Sequence, residues 1–180
     1  MKRKIFFILT ILFLFIGCKP HSINTATSSA AKVLDSRFDG TWIAQDNSGC
    51  MEVKNLQDGR IEIKAESNTT YNRTDYIVAT VYSSTIKNNH YFSIKVHNKG
   101  DLKNGYLLAK YNLINDNTMK FSYIDSIALK HLIASKNVKG EMSVITDKSE
   151  NIELAIGKYD NLLFKDYMIF NKGTCPSNYN

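Results

Sequence analysis

Three cysteines, Cys18, Cys50 and Cys175, are the residues of this chain whose type and placement promise covalent chemistry. Cys18 follows Phe15-Ile16-Gly17, the close of a segment that opens with Lys2-Arg3-Lys4 and continues in an apolar run from Ile5 to Ile16. A basic start, an apolar stretch of this length and a small residue before the cut mark a secretory signal. The run is too short to cross a bilayer as a helix, which takes about 20 apolar residues. Export would place Cys50 and Cys175 in an oxidising compartment, where two thiols tend to pair. The bond would constrain the unfolded chain by up to about 4.7 kcal/mol in the chain-entropy model. Two unpaired thiols, or a reactive Cys175 in a loose tail, are the alternatives. Two isolated cysteines lack the chelate spacing of a metal site.

The remaining chemistry is sparse. His21, His90, His97 and His131 fall at no metal-binding spacing. Glu62, Glu66, Asp75 and Glu141 would suit acid–base work if they met in space, but nothing in their spacing requires it. No Gly-x-Ser-x-Gly elbow and no glycine-rich phosphate loop occurs. The expectation is a protein that is not an enzyme and takes no cofactor or metal. Tyrosines are more suggestive, since an amphipathic ring suits barrel walls, pockets and interfaces alike. If the domain is a hollow barrel, Tyr106 and Tyr111, with Trp42 below them, are the candidate lining of a site for a small or apolar ligand.

The cysteine after Phe15-Ile16-Gly17 resembles the bacterial lipobox. That resemblance implies removal of residues 1–17 and diacylation of Cys18, which becomes the mature N-terminus. Phe15 stands where lipoboxes more often carry Leu. Each buried CH2 contributes about 0.8 kcal/mol, so two or more acyl chains anchor a protein stably. By the same family rule, Lys19 rather than Asp after the cysteine implies, in a Gram-negative cell, release to the outer membrane. The expected partner is therefore the membrane, reached through acyl chains on Cys18, and the expected location is the bacterial cell envelope.

Without the three basic residues of the signal, the formal charge falls from +6 to about +3, which makes no case for nucleic acid. Residues 18–34, rich in Ser, Thr and Ala, read as a flexible tether. Residues 35–175 form one domain and 176–180 a C-terminal tail. Ten Tyr, nine Phe and only two Pro suit a β-rich domain.

The punctuation is that of a meander. Thr41 to Ala44, Cys50 to Leu56, Ile61 to Ala65, Tyr76 to Tyr82, Tyr91 to His97, Gly105 to Ile114 and Met119 to Ile124 read as strands. Asp58-Gly59 is the strongest turn signal between them, with others at Asn68-Thr69-Thr70, Lys87-Asn88-Asn89 and Asn98-Lys99-Gly100-Asp101. Ile61, Ile63 and Ala65 point one way, as do Phe92, Ile94 and Val96, with Ser93 and Lys95 on the other face. The period then changes. Asp125 can cap a helix through Ile133, and Asp147 with Glu150 makes a capping-box-like start for a second. Tyr167 to Phe170 closes the pattern as a last strand. The fold class expected is mostly β: a single antiparallel up-and-down barrel with one or two short helices before the last strand.

Gly40-Thr41-Trp42 resembles the lipocalin Gly-x-Trp signature, and the succession of hairpins, late helices and a final strand is similar to lipocalin-like barrels of small bacterial lipoproteins. In that fold the indole plugs the closed end of the barrel. Thr74-Asp75-Tyr76 matches a second lipocalin signature in letters but lies too close to Trp42, and no arginine takes the third signature position. Two functions follow as expectations. The first is a lipid-anchored, non-enzymatic envelope protein that binds a small or apolar ligand or a neighbouring envelope protein. The second is a protein-interaction or inhibitor module of the lysozyme-inhibitor or immunity type.

Overall fold

The computed structural model describes residues 20–32, 36–56, 60–67, 73–98 and 105–175. The segment read as a signal at 1–17, Cys18, the turns expected at Asp58-Gly59 and 99–101, the loop expected at 68–70 and the tail at 176–180 lie outside the described residues.

In chain order the strands are β1 (His21–Ser22), β2 (Ala31–Lys32), β3 (Gly40–Ala44), β4 (Gly49–Asn55), β5 (Ile61–Ser67), β6 (Arg73–Ile86), β7 (Asn89–Val96), β8 (Leu107–Asn115) and β9 (Thr118–Tyr123). Helix α1 (Ser126–Ala134) follows, then β10 (Gly140–Glu141), β11 (Val144–Ile145), helix α2 (Ser149–Leu163) and β12 (Met168–Lys172). From β3 to β9 each strand pairs antiparallel with the next, and β12 fills the gap between β9 and β3. Phe170 faces Met119 on one side and Ala44 on the other. The pairing of β6 with β7 closes the circle, so eight strands form an up-and-down ring. This is the architecture that the alternating strands and late helices lead one to expect.

Strand β6 makes closure possible by serving two neighbours in succession. Its first half pairs with β5 and its second half with β7; Ala79, where the two meet, faces both Ile61 and Val96. The strand read from sequence as Tyr76 to Tyr82 is thus the middle of a strand of 14 residues. The Lys87-Asn88 turn that follows has positive φ at both positions (47° and 66°), the two-residue hairpin geometry that matches strand twist.

Two apolar cores lie on the two faces of the sheet. Trp42, Ala44, Val53, Val81, Phe92, Ile94, Val96, Met119, Phe121 and Phe170 fill the ring. The second core packs α1 and α2 against the outside of the ring, joining Leu129, Leu132, Ile152, Ile156 and Leu163 to Ile86, Tyr91, Leu108 and Ile124. Strand β7 is consequently buried on both faces from Tyr91 to Ile94. The alternation correctly puts Phe92, Ile94 and Val96 inside, but Ser93 does not face solvent, because the segment near Ala26 covers it.

Two expectations need correcting. The segment read as a flexible tether is, over residues 20–32, part of the fold. Strand β1 runs parallel to β11 in a three-stranded sheet, and β2 pairs with β6 at Tyr82 and Ser83. Ser22, Ala26 and Thr27 are fully or almost fully buried, and the Ala26 amide donates to Ser93 Oγ at 2.9 Å. Small side chains allow this close approach. A Cβ on Gly105 would come within 2.6 Å of the His21 ring and 2.8 Å of the Ser22 carbonyl oxygen. Helix α2, in turn, is capped at Lys148 rather than at Asp147. The Asp147 carboxylate instead accepts from the backbone of Lys139 and Lys148 and from Asn151 Nδ2, tying the helix start to the turn before β10. Asp125 caps α1 as expected, accepting from the Ala128 amide at 2.7 Å.

Candidate ligand-binding site

The ring interior holds Trp42 and Tyr111 but not Tyr106. Trp42 has no exposed surface, and its indole Nε1 donates to the Phe38 carbonyl at 2.9 Å. Lys172, its partner in register across β3 and β12, lies 5.2 Å from the ring centroid. Tyr111 stacks on Phe92 at 3.7 Å, and Ser83 Oγ meets its hydroxyl at 2.9 Å. Phe38 meets both rings edge-on. Tyr106 instead joins the outer core and packs edge-on against Tyr82. The expected lining of one cavity by Trp42, Tyr106 and Tyr111 therefore does not form. Positions 106 and 111 are an odd number of residues apart along an extended chain, and successive side chains point to opposite faces. Where Tyr111 does lie inside, aromatic rings occupy the space around it.

The described concavity lies on the outside, where the β6–β7 hairpin, the middle of β8 and β9, and the end of α2 converge. It has a volume of about 590 Å3. Asn88, Asn89 and His90 form one wall; Lys110, Tyr111 and Asn112 on β8 and Lys120, Phe121 and Ser122 on β9 form the floor; Asn161, Phe164, Lys165 and Tyr167 form the far wall, so Tyr111 alone of the three expected ligand residues borders this concavity.

Each wall is held by a specific contact. Lys87 Nζ donates to the Gly157 carbonyl at 2.8 Å, pinning the hairpin to α2 and presenting Asn88 and Asn89. Helix α2 departs from helical geometry at Tyr159 (φ −118°), one residue before Asp160. The Asp160 carboxylate accepts from Tyr91 Oη at 2.6 Å and from Lys110 Nζ at 2.5 Å. Lys120 Nζ sits 3.6 Å from the centroid of the Tyr167 ring, within cation–π range. Lys165 pairs with Asp125 at 2.9 Å, and Ser122 Oγ donates to the Asp166 carbonyl.

The electrostatics follow from these contacts. Burial, reinforced by the bond to Asp160, raises the Tyr91 phenol well above its ordinary value, so the ring stays a donor. Burial alone would raise the Asp125 carboxyl, but the Ala128 amide and the Lys165 ammonium outweigh it and hold it below the usual carboxylate range. The bond that Lys165 donates to Asp125 raises Lys165 in turn. Three lysines line the cleft, with Asp160 behind Lys110 and with Asp125 and Asp166 beside Lys165. Charge is therefore close to balanced, and the distinctive groups are the carboxamides of Asn88, Asn89, Asn112 and Asn161.

Glu62 and Glu66 lie on β5, Asp75 on β6 and Glu141 in the small sheet. His97 is bonded to Thr80 and His90 to Thr85, and His131 is exposed on α1. Among the described residues no group of three or more His, Cys, Asp or Glu could hold a metal. Cys50 and Cys175 do form a disulfide, with Cα atoms 5.8 Å apart, which fastens the chain after β12 to β4. Asp160 and Lys110 were legible only indirectly. Asp160 continues the i, i+4 stripe of Ile152 and Ile156, and Lys110 shares the strand face of Leu108; each is a charge on a face that must be covered.

Comparison of the chain with protein-family models, with curated proteins and with solved structures returns no match.

Proposed function

We propose that this chain is a lipid-anchored, non-enzymatic protein of the bacterial cell envelope, fixed to the membrane by acyl chains on Cys18, that binds a small polar ligand in the outer cleft. The cleft carries this reading. Its volume falls within the range of small-molecule sites. Four carboxamides, each offering donors and acceptors, match a molecule whose hydroxyls do both. Tyr167, half exposed beside them, adds an aromatic ring to the wall, with the Lys120 ammonium over its face. Balanced charge favours a neutral polyhydroxylated ligand, such as a sugar unit, over a free anion. The filled ring interior disfavours an apolar ligand there.

The test is an amide NMR titration of the mature domain with a neutral oligosaccharide, inorganic phosphate and a fatty acid in parallel. Shifts confined to residues 88–90, 110–112, 120–122 and 161–167 with the oligosaccharide support the reading. Fatty-acid shifts at Trp42, Phe92 and Val96, all inside the ring, with none in the cleft, contradict it.

A second reading, a protein-interaction module of inhibitor or immunity type, draws on Ile127, Leu154 and Leu162, large apolar side chains exposed on the two helices. Crosslinking from these positions in intact cells would distinguish it, because a small-molecule site leaves them uncrosslinked.

A further inference from the structure

The segment that follows Cys18 is docked, and this fixes how the domain meets its membrane. His21 N donates to the Ser143 carbonyl at 3.1 Å, Ser22 exchanges two backbone bonds with Tyr106, and Ile23 N donates to the Ile145 carbonyl at 3.0 Å. Asn24 Nδ2 reaches the Asp147 carbonyl at 2.8 Å. Nothing between residues 21 and 27 can pay out as slack without breaking these contacts and exposing the buried Ser22, Ala26 and Thr27. Only Lys19 and Pro20 lie between Cys18 and His21, three steps along the chain, and a chain extends at most about 3.6 Å per step. The sulfur-bearing residue is therefore within about 11 Å of the small sheet, whatever path the chain takes.

We infer that the three-stranded sheet of β1, β10 and β11 is a membrane-contact surface, pressed against the bilayer that receives the Cys18 acyl chains. This rests on the proposed acylation of Cys18. The surface offers what an interfacial contact requires. Met142, at the tip of the β10–β11 hairpin, is 72% exposed and adjoins Ser143, whose carbonyl holds His21. Its φ of 52° places it at the turn itself. Ile23, 45% exposed, follows β1 directly. Lys139 and Lys148 flank the hairpin, with Glu141 among them, so electrostatic attraction is modest and the short leash does the positioning. The outer cleft lies farther along β8 from the small sheet. Lys110 and Asn112 lie four to six residues beyond Tyr106, a separation of roughly 13–20 Å at the strand rise.

The experiment uses the full-length chain, expressed with its own leader, extracted in detergent and reconstituted in vesicles with or without bromine-labelled phospholipids. Met142→Trp places a fluorophore at the hairpin tip, and Ile114→Trp places one at an exposed position near the far end of β8. Intact mass establishes whether Cys18 carries lipid, and near-UV circular dichroism establishes the fold of each variant. With acylated protein, the M142W signal should lose most of its added emission to brominated lipid, while the I114W and native Trp42 signals stay nearly unchanged. A flexible Gly/Ser spacer inserted between Lys19 and Pro20 should relieve the quenching without removing the lipid. Equal quenching of M142W and I114W in acylated, folded protein overturns the membrane-contact surface and leaves the anchor standing. An unmodified Cys18 overturns the anchor, and the surface with it.

Discussion

Tyr91 Oη donates to Asp160 Oδ1 at 2.6 Å, and this bond joins the outer face of the strand ring to the distorted end of α2. Lys110 holds the other carboxylate oxygen of Asp160, so one side chain fastens three elements beneath the cleft. Tyr91→Phe removes a single hydrogen bond and should cost about 1 kcal/mol. Asp160→Ala leaves both Tyr91 and Lys110 without that acceptor and should cost about 2–3 kcal/mol. Urea unfolding of a chain spanning residues 18–180, monitored by far-UV circular dichroism, checks both. Equal effects would mean that Lys110 finds full compensation in water.

The same contact predicts an alkaline response. Burial, aided by Asp160, keeps Tyr91 protonated in the fold, and burial does the same for Tyr123. An unfolded tyrosine ionises near pH 10. Both groups therefore contribute stability that is complete below about pH 10 and is lost as pH rises above it, because only the unfolded chain then gives up its protons. Absorbance titration near 295 nm should show two of the ten tyrosines ionising only together with unfolding. A titration in which all ten ionise reversibly in folded protein would contradict the burial of Tyr91 and Tyr123.

Asp125 tests the opposite sign. Its carboxyl is held below the unfolded value of about 3.9. Its contribution is present above about pH 4 and is lost as pH falls through the lower, folded value. Asp125→Asn keeps a capping oxygen but loses the Lys165 pair, whereas Asp125→Ala loses the cap as well, at about 1 kcal/mol. Thermal melts at neutral pH should rank wild type, D125N and D125A in that order. The gap between wild type and D125N should close as the pH drops below about 4.

The Cys50–Cys175 bond, at a sequence separation of 125, should make the wild type sensitive to reductant. Loss of a native disulfide from a small domain costs about 2–5 kcal/mol. A C50S/C175S double variant should melt at the temperature of reduced wild type and should not respond to reductant. A variant that melts with the oxidised wild type would show that the crosslink adds nothing.

What could be read in the sequence was whatever obeys local periodicity. Phe92, Ile94 and Val96 declare an inward face by alternation, and Asp125 declares a helix start by its cap. What could not be read was burial achieved without hydrophobicity. Ser22, Ala26 and Thr27 have the composition of a linker, yet backbone hydrogen bonds and close approach to Gly105 and Ser93 bury them. Composition reports the apolar area a segment offers, not the partners its amides will find. The cleft was hidden for another reason. Asp160, Lys110 and Asn88 come from three distant elements, and only ring closure and the helical layer bring them together.

Residues 20–32 belong to the fold rather than hanging from it, and hydrogen exchange of a chain spanning residues 18–180 measures this directly. The amides of His21, Ser22, Ile23 and Ala26, each bonded to Ser143, Tyr106, Ile145 or Ser93, should exchange as slowly as those of β7 and β8. Exchange of these four at the rate of an unstructured peptide, while β7 and β8 stay protected, would contradict the docked segment and the membrane geometry drawn from it.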